Sequence, residues 1–376
     1  MRILELLSSP YWTGPAEPMA SVARELVRRG HEVQLAVEGR RQGDLRDRLR
    51  GLGLDVREGL TLSTRSGPLA TWRDVRALRR AAREYDVLHA HFSHDHALAL
   101  LAGAGTGRHR VVRTVHSSRS LSRRPLQRLA HRRSDGLVAV CPAHGRELVE
   151  GFGLPPERVL VTRGAVDGAR FAPDGPDLRA ELGLAPGQPV AGIVARVKPD
   201  RRHGELVEAF RGVVERLPEA RLLVVGRGEG LAAVRARVAA LGLERAVIFA
   251  GYRTGAELPA AYRTFDVNVL LAEGNDGTCR ALLEGMACGR PGIAYRFGAP
   301  EDAILDGGTG LLAPDGDLPA LTAALTALLS DPARARALGR AARARMTTLF
   351  TEEARGAAVE AFLRRILSLP PARARG

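Results

Sequence analysis

The chain has 376 residues, of which 45% are hydrophobic and 26% charged; this is typical of a soluble globular protein, and the length predicts two to three domains. No apolar run approaches the roughly 20 residues of a membrane span, which excludes a membrane-spanning helical protein. The net charge of +14 suits anionic membrane surfaces, phosphorylated substrates or nucleic acid, but the 4% aromatic content and the lack of a nucleic-acid motif disfavour nucleic acid.

Cysteine and lysine usage add two further observations. Cys141, Cys279 and Cys288 lack the spacing of a metal site or a disulfide framework, so a reducing, cytoplasmic compartment is expected. The first residues run directly into a predicted strand, without the pattern of a secretory signal. Only one of the 56 basic residues is lysine, Lys198, and a GC-rich coding sequence would account for part of the arginine excess.

The chain opens with the pattern of a doubly wound α/β domain. A strand is predicted over residues 2–8, an amphipathic helix over 17–29 and a second strand over 31–37. The loop between the first strand and the helix carries Gly14. Ligands of such folds bind at the carboxyl ends of the strands, although a lone glycine loop fits a plain turn equally well.

Histidines crowd the end of the strand predicted over residues 85–91. The cluster comprises His89, His91, His94, Asp95 and His96. Two histidines two residues apart on a strand point to the same side, as in a metal site, but the sequence places no third ligand. A strand end that lines a substrate is favoured instead, with His91 as the candidate.

A second histidine and a basic segment follow the strand predicted over residues 111–115. His116 stands at the strand end, where it either contacts a ligand or is a buried structural histidine. Residues 119–133, beginning with Arg119, interleave six arginines with leucines. Such a segment could rest on anionic lipid or bind a phosphorylated acceptor, and a solvated helix face in an arginine-rich chain is the plainer interpretation.

The second half repeats the alternation of strands and helices after a Pro/Gly-rich segment over residues 173–189, which has the composition of a linker. The strand predicted over 190–195 is followed by Arg196 and Arg201. Two fixed cations at a strand end can stabilise the charge that grows on a departing diphosphate. Turn residues follow the next two predicted strands: Gly226, Gly251 and Tyr252.

Residues 272–291 place two carboxylates beside a helix N-terminus. Asp276, Gly277 and Thr278 form a turn with N-cap chemistry, Cys279 opens the helix, and Glu284 lies two turns further along. Free amides at a helix N-terminus attract a diphosphate, and neighbouring carboxylates can accept hydrogen bonds from sugar and ribose hydroxyls. Taken alone, the pattern fits an ordinary N-cap aspartate and a surface glutamate equally well.

Residues 276–291, DGTCRALLEGMACGRP, resemble the donor-site signature of family-four glycosyltransferases of the GT-B fold, with Asp276 at a position where the family has Glu and Gly285 where it has Ala. Residues 163–173 resemble the family's hinge segment. The resemblance implies two Rossmann-like, doubly wound domains facing a central cleft. It implies an N-terminal acceptor domain over residues 1–172, a linker over 173–189, a donor domain over 190–350, and a C-terminal helix over 351–376 that returns to the first domain.

The resemblance also implies a role for each candidate residue. Arg196 and Arg201 would bind the donor diphosphate, Asp276 the sugar hydroxyls and Glu284 the ribose, while His116 would position sugar and acceptor. The other implied donor contacts are Gly14, Gly226, Gly251, Tyr252, Gly277, Thr278 and Cys279. The implied acceptor side comprises His91, His116 and Arg119.

The function expected from the resemblance is retaining, metal-independent transfer of a sugar from a nucleoside-diphosphate sugar, the co-substrate, with no further cofactor. A glycan or lipid-linked acceptor is expected, in cell-envelope polysaccharide or lipopolysaccharide synthesis in the cytoplasm, with peripheral contact to the anionic inner membrane face. Three alternatives stay open: a nucleotide-sugar epimerase or hydrolase, a catalytically idle binding module and, more distantly, a nucleic-acid binder.

Overall fold

The computed structural model describes residues 1–39, 41–62, 67–103, 109–274 and 279–372, and it divides the chain into two units. Unit 1 comprises Met1–Arg163 with Glu352–Gly376, and unit 2 comprises Gly164–Thr351. Each unit is built on one parallel sheet with helices on both faces, so the predicted doubly wound α/β class is confirmed.

Unit 1 contains a seven-stranded sheet in the order β3-β2-β1-β4-β5-β6-β7. Its strands are β1 (Arg2–Leu7), β2 (Glu32–Val37), β3 (Asp55–Val56), β4 (Val87–Ala90), β5 (Arg110–Val115), β6 (Gly136–Ala139) and β7 (Val159–Val161). Its helices are α1 (Ala16–Arg28), α2 (Leu45–Gly51), α3 (Pro68–Ala81), α4 (Ser93–Ala102), α5 (Pro125–Arg132), α6 (Pro142–Arg146) and, from the end of the chain, α14 (Glu352–Ser368). The chain reverses its progress across the sheet between β1 and β4, the position where ligands of such sheets bind.

The two faces of this sheet carry separate cores. Met19 and Leu26 of α1 pack on one face with Ile3 of β1. Leu78 of α3 and Leu98 of α4 pack on the other face. Residues 3–7 of β1 are at most 1% exposed, because a central strand of a parallel sheet is covered on both sides.

Helix α14 completes the core of unit 1. Val359, Phe362 and Ile366 pack in the same core as α1 and β1. A Cβ at Gly136 would lie 2.8 Å from the Phe362 ring, so β6 and α14 meet in close contact. The carboxylate of Glu360 lies 3.0 Å from Nε2 of His31, at the start of β2. The last helix is therefore an integral layer of unit 1.

Unit 2 contains a six-stranded parallel sheet in the order β10-β9-β8-β11-β12-β13. Its strands are β8 (Val190–Val194), β9 (Arg221–Val225), β10 (Val247–Gly251), β11 (Val267–Leu270), β12 (Gly292–Tyr295) and β13 (Gly310–Ala313). Its helices are α7 (His203–Val214), α8 (Leu231–Ala240), α9 (Glu257–Thr264), α10 (Arg280–Ala287), α11 (Pro300–Ala303), α12 (Leu318–Leu329) and α13 (Pro332–Leu349). The order reverses between β8 and β11, which is the expected ligand-binding edge.

The two faces of the second sheet are covered by different helices. Val267 and Val269 of β11 pack with Phe210 of α7 and Leu325 of α12. Asn268, between them in sequence, faces α10 on the opposite side. Within the described ranges, the helices of both units are too short or too polar to cross a bilayer.

The structure assigns the hinge and linker region to a different unit from the one that the sequence predicts. Residues 164–172, predicted in the first domain, and 173–189, predicted as a linker, belong to unit 2. Arg343 donates to the carbonyl oxygen of Phe171 at 2.6 Å, and the backbone amide of Leu178 donates to Thr264 at 2.9 Å. Proline and glycine predict the absence of regular structure here, whereas these contacts from distant side chains bind the segment to unit 2.

Candidate functional site

A pocket of about 930 Å³ opens at the carboxyl ends of β8, β9 and β10 in unit 2. Its lining includes Arg196 after β8, Gly226 and Glu229 after β9, and Tyr252 after β10. Leu258 of α9 adds an apolar wall. In parallel α/β sheets this edge collects ligands because the loops and helix N-termini meet there, and the volume is that of an ordinary small-molecule site.

Backbone contacts hold the floor of the pocket. Gly226 has a φ of +151°, and a Cβ there would lie 1.9 Å from the carbonyl oxygen of Ala195. Its amide donates to the carbonyl oxygen of Gly251 at 2.8 Å. A Cβ at Gly228 would lie 2.2 Å from the carbonyl oxygen of Val197. The loops after β8, β9 and β10 therefore pack backbone against backbone, and only glycine fits at 226.

Tyr252 presents an aromatic ring at the pocket. The side chain is 58% exposed, and the guanidinium of Arg227 lies 4.4 Å from the ring centroid. Arg253, the next residue, donates to the carbonyl oxygen of Ala250 at 2.9 Å and pairs with Glu181 at 2.5 Å. The guanidinium of Arg227 therefore covers part of the Tyr252 ring, and the contacts of Arg253 fix the residue next to it. The exposed part of the ring suits the stacking of a planar group.

Two cations share one carboxylate at the pocket. Arg196 Nη2 lies 3.5 Å from Glu229 Oε2, and Lys198 Nζ lies 3.5 Å from Glu229 Oε1. A hydrogen bond within Glu229 itself and the charges of Lys198 and Arg196 lower the pKa of the Glu229 carboxyl. The sequence identified Arg196 but neither Lys198 nor Glu229. The signal for Lys198 was its status as the single lysine of the chain.

Arg201 lies in a different environment from Arg196. It ends a short 3-10 turn, Pro199–Arg201, and its guanidinium lies 3.8 Å from the Asp200 carboxylate. Neither Arg201 nor Lys198 is among the residues that line the described pocket. The neighbouring Arg202 has a φ of +56°, pairs with Asp315 at 2.5 Å and lies over the ring of Phe297, so it is held by structural contacts.

Glu284 is largely buried on α10. Its side chain accepts a hydrogen bond of 2.7 Å from the hydroxyl of Tyr262 on α9. Burial, together with the charge of Glu284, raises the pKa of the Tyr262 hydroxyl well above its ordinary value, so it donates throughout the physiological range. Cys279 is buried at the N-cap of α10. Asp276, Gly277 and Thr278 lie outside the described residues.

Helix α10 is seated on β11 through a polar contact. Asn268 Nδ2 donates to the carbonyl oxygens of Ala281 and Leu282, at 3.1 Å in each case. A Cβ at Gly285 would lie 2.2 Å from that nitrogen. The glycine that stands where the resembled family has alanine is therefore required by Asn268, whose side chain occupies the space that an alanine methyl would need.

In unit 1, a chain of buried polar groups crosses β1, β4 and the end of β5. His91 Nε2 lies 2.7 Å from Glu5 Oε2, and His91 Nδ1 lies 2.9 Å from His116 Nε2. His89 Nδ1 lies 3.1 Å from Glu5 Oε1, and its Nε2 lies 2.8 Å from the hydroxyl of Thr114. Parallel register places these residues together, since Glu5 pairs with His89 across the two strands.

The pKa values of Glu5 and His91 determine which atoms of this polar network carry protons. Burial lowers the pKa of His91 to about 4, against an opposing hydrogen bond from Glu5. Burial also opposes ionisation of Glu5, but the charge and hydrogen bonds of His89 and His91 prevail and lower its pKa to about 2. The Glu5 carboxylate only accepts, so neutral His91 donates from Nε2 and accepts at Nδ1. His116 therefore donates from Nε2, and its Nδ1 is the acceptor when the ring is neutral.

Glu5 also supplies a third potential metal ligand beside His89 and His91, which the sequence did not place. Donor atoms of Glu5, His89 and His91 all lie within 4.8 Å of one another. However, the three side chains are at most 4% exposed, and hydrogen bonds to one another, to Thr114 and to His116 engage each of these donor atoms. The arrangement is accounted for as a hydrogen-bonded network.

The remaining predicted residues of unit 1 lie at its surface. A Cβ at Gly14, just before α1, would meet no atom within 4 Å among the described residues, so packing does not require glycine there. Arg119 is exposed in the 3-10 turn Ser118–Leu121. The basic segment is helical only from Pro125, and on that helix Leu126 is 83% exposed.

Two family models match successive parts of the chain. The model "Glycosyltransferase Family 4" matches residues 14–170, and "Glycosyl transferases group 1" matches residues 174–345. Together they span most of both units.

Characterised relatives show the same relationship. The chain is 31% identical over 290 residues to the GDP-mannose-dependent alpha-(1-6)-phosphatidylinositol monomannoside mannosyltransferase of Mycolicibacterium smegmatis, covering 71% of this chain and 73% of the relative. It is 33% identical over 302 residues to the D-inositol 3-phosphate glycosyltransferase of Kineococcus radiotolerans, covering 70% and 68%. The crystal structure of Anabaena HepE with UDP has a TM-score of 0.82 at 20% identity, covering 97% of this chain and 100% of that one, and shows the same fold.

Proposed function

The chain belongs to glycosyltransferase family 4, and we propose that it moves a sugar from a nucleoside-diphosphate sugar to a hydroxyl group of an acceptor, with retention of anomeric configuration. The observation that carries the proposal is the unit 2 pocket, where Gly226 and Gly228 of the loop after β9, the exposed ring of Tyr252 and the cation of Arg196 meet at the carboxyl ends of parallel strands. Each of these features matches one part of a nucleotide sugar.

The chemistry of the pocket supports a position for the donor. The ring of Tyr252 suits the nucleobase, and the guanidinium of Arg196 suits the diphosphate. Glu284 would accept the hydrogen bonds of the ribose hydroxyls, with Tyr262 holding its other side. Asp276, together with the amides of Gly277, Thr278 and Cys279, would bind the sugar and the phosphate nearest to it.

The reaction would need no metal or further cofactor, because arginine and lysine side chains can supply the positive charge. The acceptor oxygen forms a bond to the anomeric carbon as the bond from that carbon to the diphosphate oxygen breaks. The diphosphate leaves with the electron pair and takes the acceptor proton on the same face of the sugar, which retains its configuration. Arg196 stabilises the leaving charge with a second cation, for which the family resemblance implies Arg201.

Unit 1 would supply the acceptor side. We assign His116 to positioning the sugar and acceptor hydroxyls, and Arg119 to contact with the acceptor. His91 is 4% exposed and engaged at both ring nitrogens, so it would act by orienting His116. Gly14 would let the donor approach the loop after β1.

The relatives suggest a chemical class for the acceptor, and the exposed residues of unit 1 suggest contact with a membrane. Both named relatives act on inositol-containing acceptors, and we extend to this chain only the broader class, a glycan or glycolipid of the cell envelope. All six arginines of the basic segment are exposed, beside exposed Leu126 and Leu129. Exposed leucines among arginines support peripheral contact with an anionic membrane on the cytoplasmic side.

Thermal unfolding with a panel of nucleoside diphosphates and their sugars tests the proposal. A ligand at a hundredfold its dissociation constant stabilises the fold by about 2.7 kcal/mol. Glu284→Gln keeps an acceptor for Tyr262 but removes the charge, and we expect at least about tenfold weaker binding. Glu208→Gln, an exposed glutamate of α7, is the matched control.

The outcomes separate the alternatives. Absence of a shift with every nucleotide would contradict the donor site. Turnover of a nucleotide sugar without acceptor would favour the epimerase or hydrolase, and binding without turnover across many acceptors would favour an idle module. Transfer to an acceptor, with the product anomer read by NMR, is the expected result.

A further inference from the structure

Lys198 follows a residue whose backbone is fixed to the loop after β9, a loop that lines the pocket. Val197 is fully buried and anchors the glycine loop, because its amide donates to Arg227 and its carbonyl oxygen accepts from Gly230. A Cβ at Gly230 would lie 3.5 Å from the Cα of Lys198. Lys198 has extended backbone angles, and the side chains of Arg196 and Lys198 both reach Glu229 in the loop after β9.

Glu229 meets both cations with separate oxygens. Each of its carboxylate oxygens lies 3.5 Å from one of them, and the carboxylate is itself part of the pocket lining. The side chains of Arg196 and Glu229 are more than half exposed, and such pairs are weak and easily exchanged. A diphosphate carries more charge than one carboxylate and could span the same two cations, so Glu229 occupies the place where an anionic ligand would sit.

Arg201 is engaged elsewhere. Its guanidinium lies beside Asp200, and its charge acts on His203 at the start of α7, whose pKa is lowered to about 4 chiefly by burial. Its side chain is 22% exposed, compared with 33% for Lys198. Arg201 is therefore directed to the base of α7, whereas Lys198 shares its carboxylate with Arg196.

Given the proposed function, on which this inference rests, we propose that Lys198 is the second cation of the donor diphosphate site, in place of Arg201. We further propose that Glu229 holds Arg196 and Lys198 until the diphosphate displaces it. A lysine offers a compact ammonium with three donors, which can approach two phosphate oxygens without the planar geometry that a guanidinium requires. Glu229 thereby keeps the two cations apart from each other and in place before the donor binds.

The single lysine makes the proposal directly testable by chemical labelling. An amine-reactive acylating reagent has two targets in this chain, Lys198 and the terminal α-amino group, and mass spectrometry distinguishes them. We expect a saturating nucleoside diphosphate to slow acylation of Lys198 at least fivefold and to leave the α-amino group unchanged. The readout does not depend on turnover.

Binding measurements on variants complete the test. By isothermal titration, Lys198→Ala should weaken nucleoside diphosphate binding at least tenfold, and Lys198→Arg should restore part of the loss. Arg237→Ala, which removes an exposed arginine of α8, is the matched control. Glu229→Gln should tighten binding severalfold, with the greatest gain at low salt, because the competing charge is gone. Unchanged thermal unfolding of the variants without ligand would show that they are folded.

Distinct results would overturn distinct claims. If wild type binds a nucleoside diphosphate while Lys198 is neither protected nor needed, or if Arg201→Ala loses more affinity than Lys198→Ala, the assignment of Lys198 is wrong and the proposed function stands. If Glu229→Gln binds no more tightly than wild type, the holding role of Glu229 is wrong. If wild type binds none of the nucleotides, the proposed function fails and this inference fails with it.

Discussion

Glu5 stands in the middle of β1, where a run of apolar residues predicts a core side chain, and its carboxylate instead binds two histidines. Because the carboxylate only accepts hydrogen bonds, it fixes which nitrogen of His91 carries the proton. His91 in turn fixes the orientation of His116. One buried charge thus sets the geometry of a residue two strands away.

Glu5→Gln should separate positioning from binding. The glutamine amide would turn a donor toward one of the two histidines and so disturb the orientation of His116. We expect kcat to fall by about tenfold to a hundredfold, since small misplacements of reacting groups cost that much. The donor dissociation constant should be unchanged.

Glu32→Gln is the matched control, since Glu32 is an exposed residue of β2 in the same unit. Steady-state kinetics and donor titration of the three proteins provide the measurement. An unchanged kcat in a folded Glu5→Gln protein would mean that His116 does not depend on this network.

Burial of the His203 side chain lowers the stability of the fold. It is 2% exposed, and neither ring nitrogen has a hydrogen-bond partner among the described residues. Burial, followed by the charge of Arg201, lowers its pKa from 6.5 to about 4. The unfolded chain therefore takes up the proton first, so stability is full above about pH 6.5 and declines as pH falls toward 4.

His203→Leu should remove this decline. At pH 7.5 we expect the variant to be more stable by about 1–2 kcal/mol, because an unpartnered polar ring leaves the core. Between pH 6.5 and 4 its advantage should grow by at most about 3 kcal/mol. Hydrogen exchange of α7 peptides at pH 6.5 and at pH 4 measures this change in the stability difference. An advantage that does not change with pH would show that His203 is not the titrating group.

At the scale of elements, the seat of α10 on β11 depends on one pairing of side chain and glycine. Asn268 fills the space above Gly285 and donates to two helix carbonyls. Glu284, the proposed ribose ligand, is the residue next to this contact. The position of Glu284 on α10 is thus tied to the side-chain amide of Asn268 on the neighbouring strand.

A double-mutant cycle tests this pairing. Gly285→Ala alone should destabilise unit 2 by about 1–3 kcal/mol, because the methyl group overlaps Asn268. In an Asn268→Ala background the same methyl group finds space, and its cost should fall to near zero. Denaturant unfolding of the four proteins gives the coupling free energy. Additive effects would mean that α10 shifts to accommodate the methyl group.

The bounds of strands and helices were predictable where a local sequence pattern determines them. The predicted strand 190–195 matches β8 to within one residue, because a buried parallel strand is an apolar run. The basic segment 119–133 is α-helical over only part of its length, since Pro125 starts a helix that ends at Arg132. Glu5, Lys198 and Glu229 could not be assigned, because their partners are brought to them by sheet order and loop packing rather than by spacing along the chain.

At the scale of the whole molecule, unit 1 is assembled from both ends of the chain. Phe362 is 1% exposed in the core with Ile3 and Leu26, although nearly 200 residues of unit 2 separate it from Arg163. The GT-B class followed from the alternation of strands and helices together with the family resemblance. The inclusion of residues 164–189 in unit 2 did not, since arginine contacts such as that of Arg343 have no local signal.

Phe362→Ala should therefore affect the beginning of the chain. Loss of a buried aromatic ring costs about 3–5 kcal/mol, and here the loss falls on unit 1. Both tryptophans, Trp12 and Trp72, lie in that unit, so their fluorescence reports its unfolding. Phe249→Ala, in a half-exposed position of β10 in unit 2, is the control and should leave this fluorescence transition unchanged. Equal effects of the two variants would contradict the division.

The return of α14 to unit 1 also has a consequence for biosynthesis. A ribosome finishes β1 and α1 early, yet α14, which covers them, is encoded after the whole of unit 2. At about 5–20 residues per second, the nascent polypeptide carries an uncovered apolar surface for about 10–40 s while unit 2 is being made. Unit 1 is therefore begun before unit 2 and completed after it, and we expect chaperones that shield nascent chains to bind it at the α1 face.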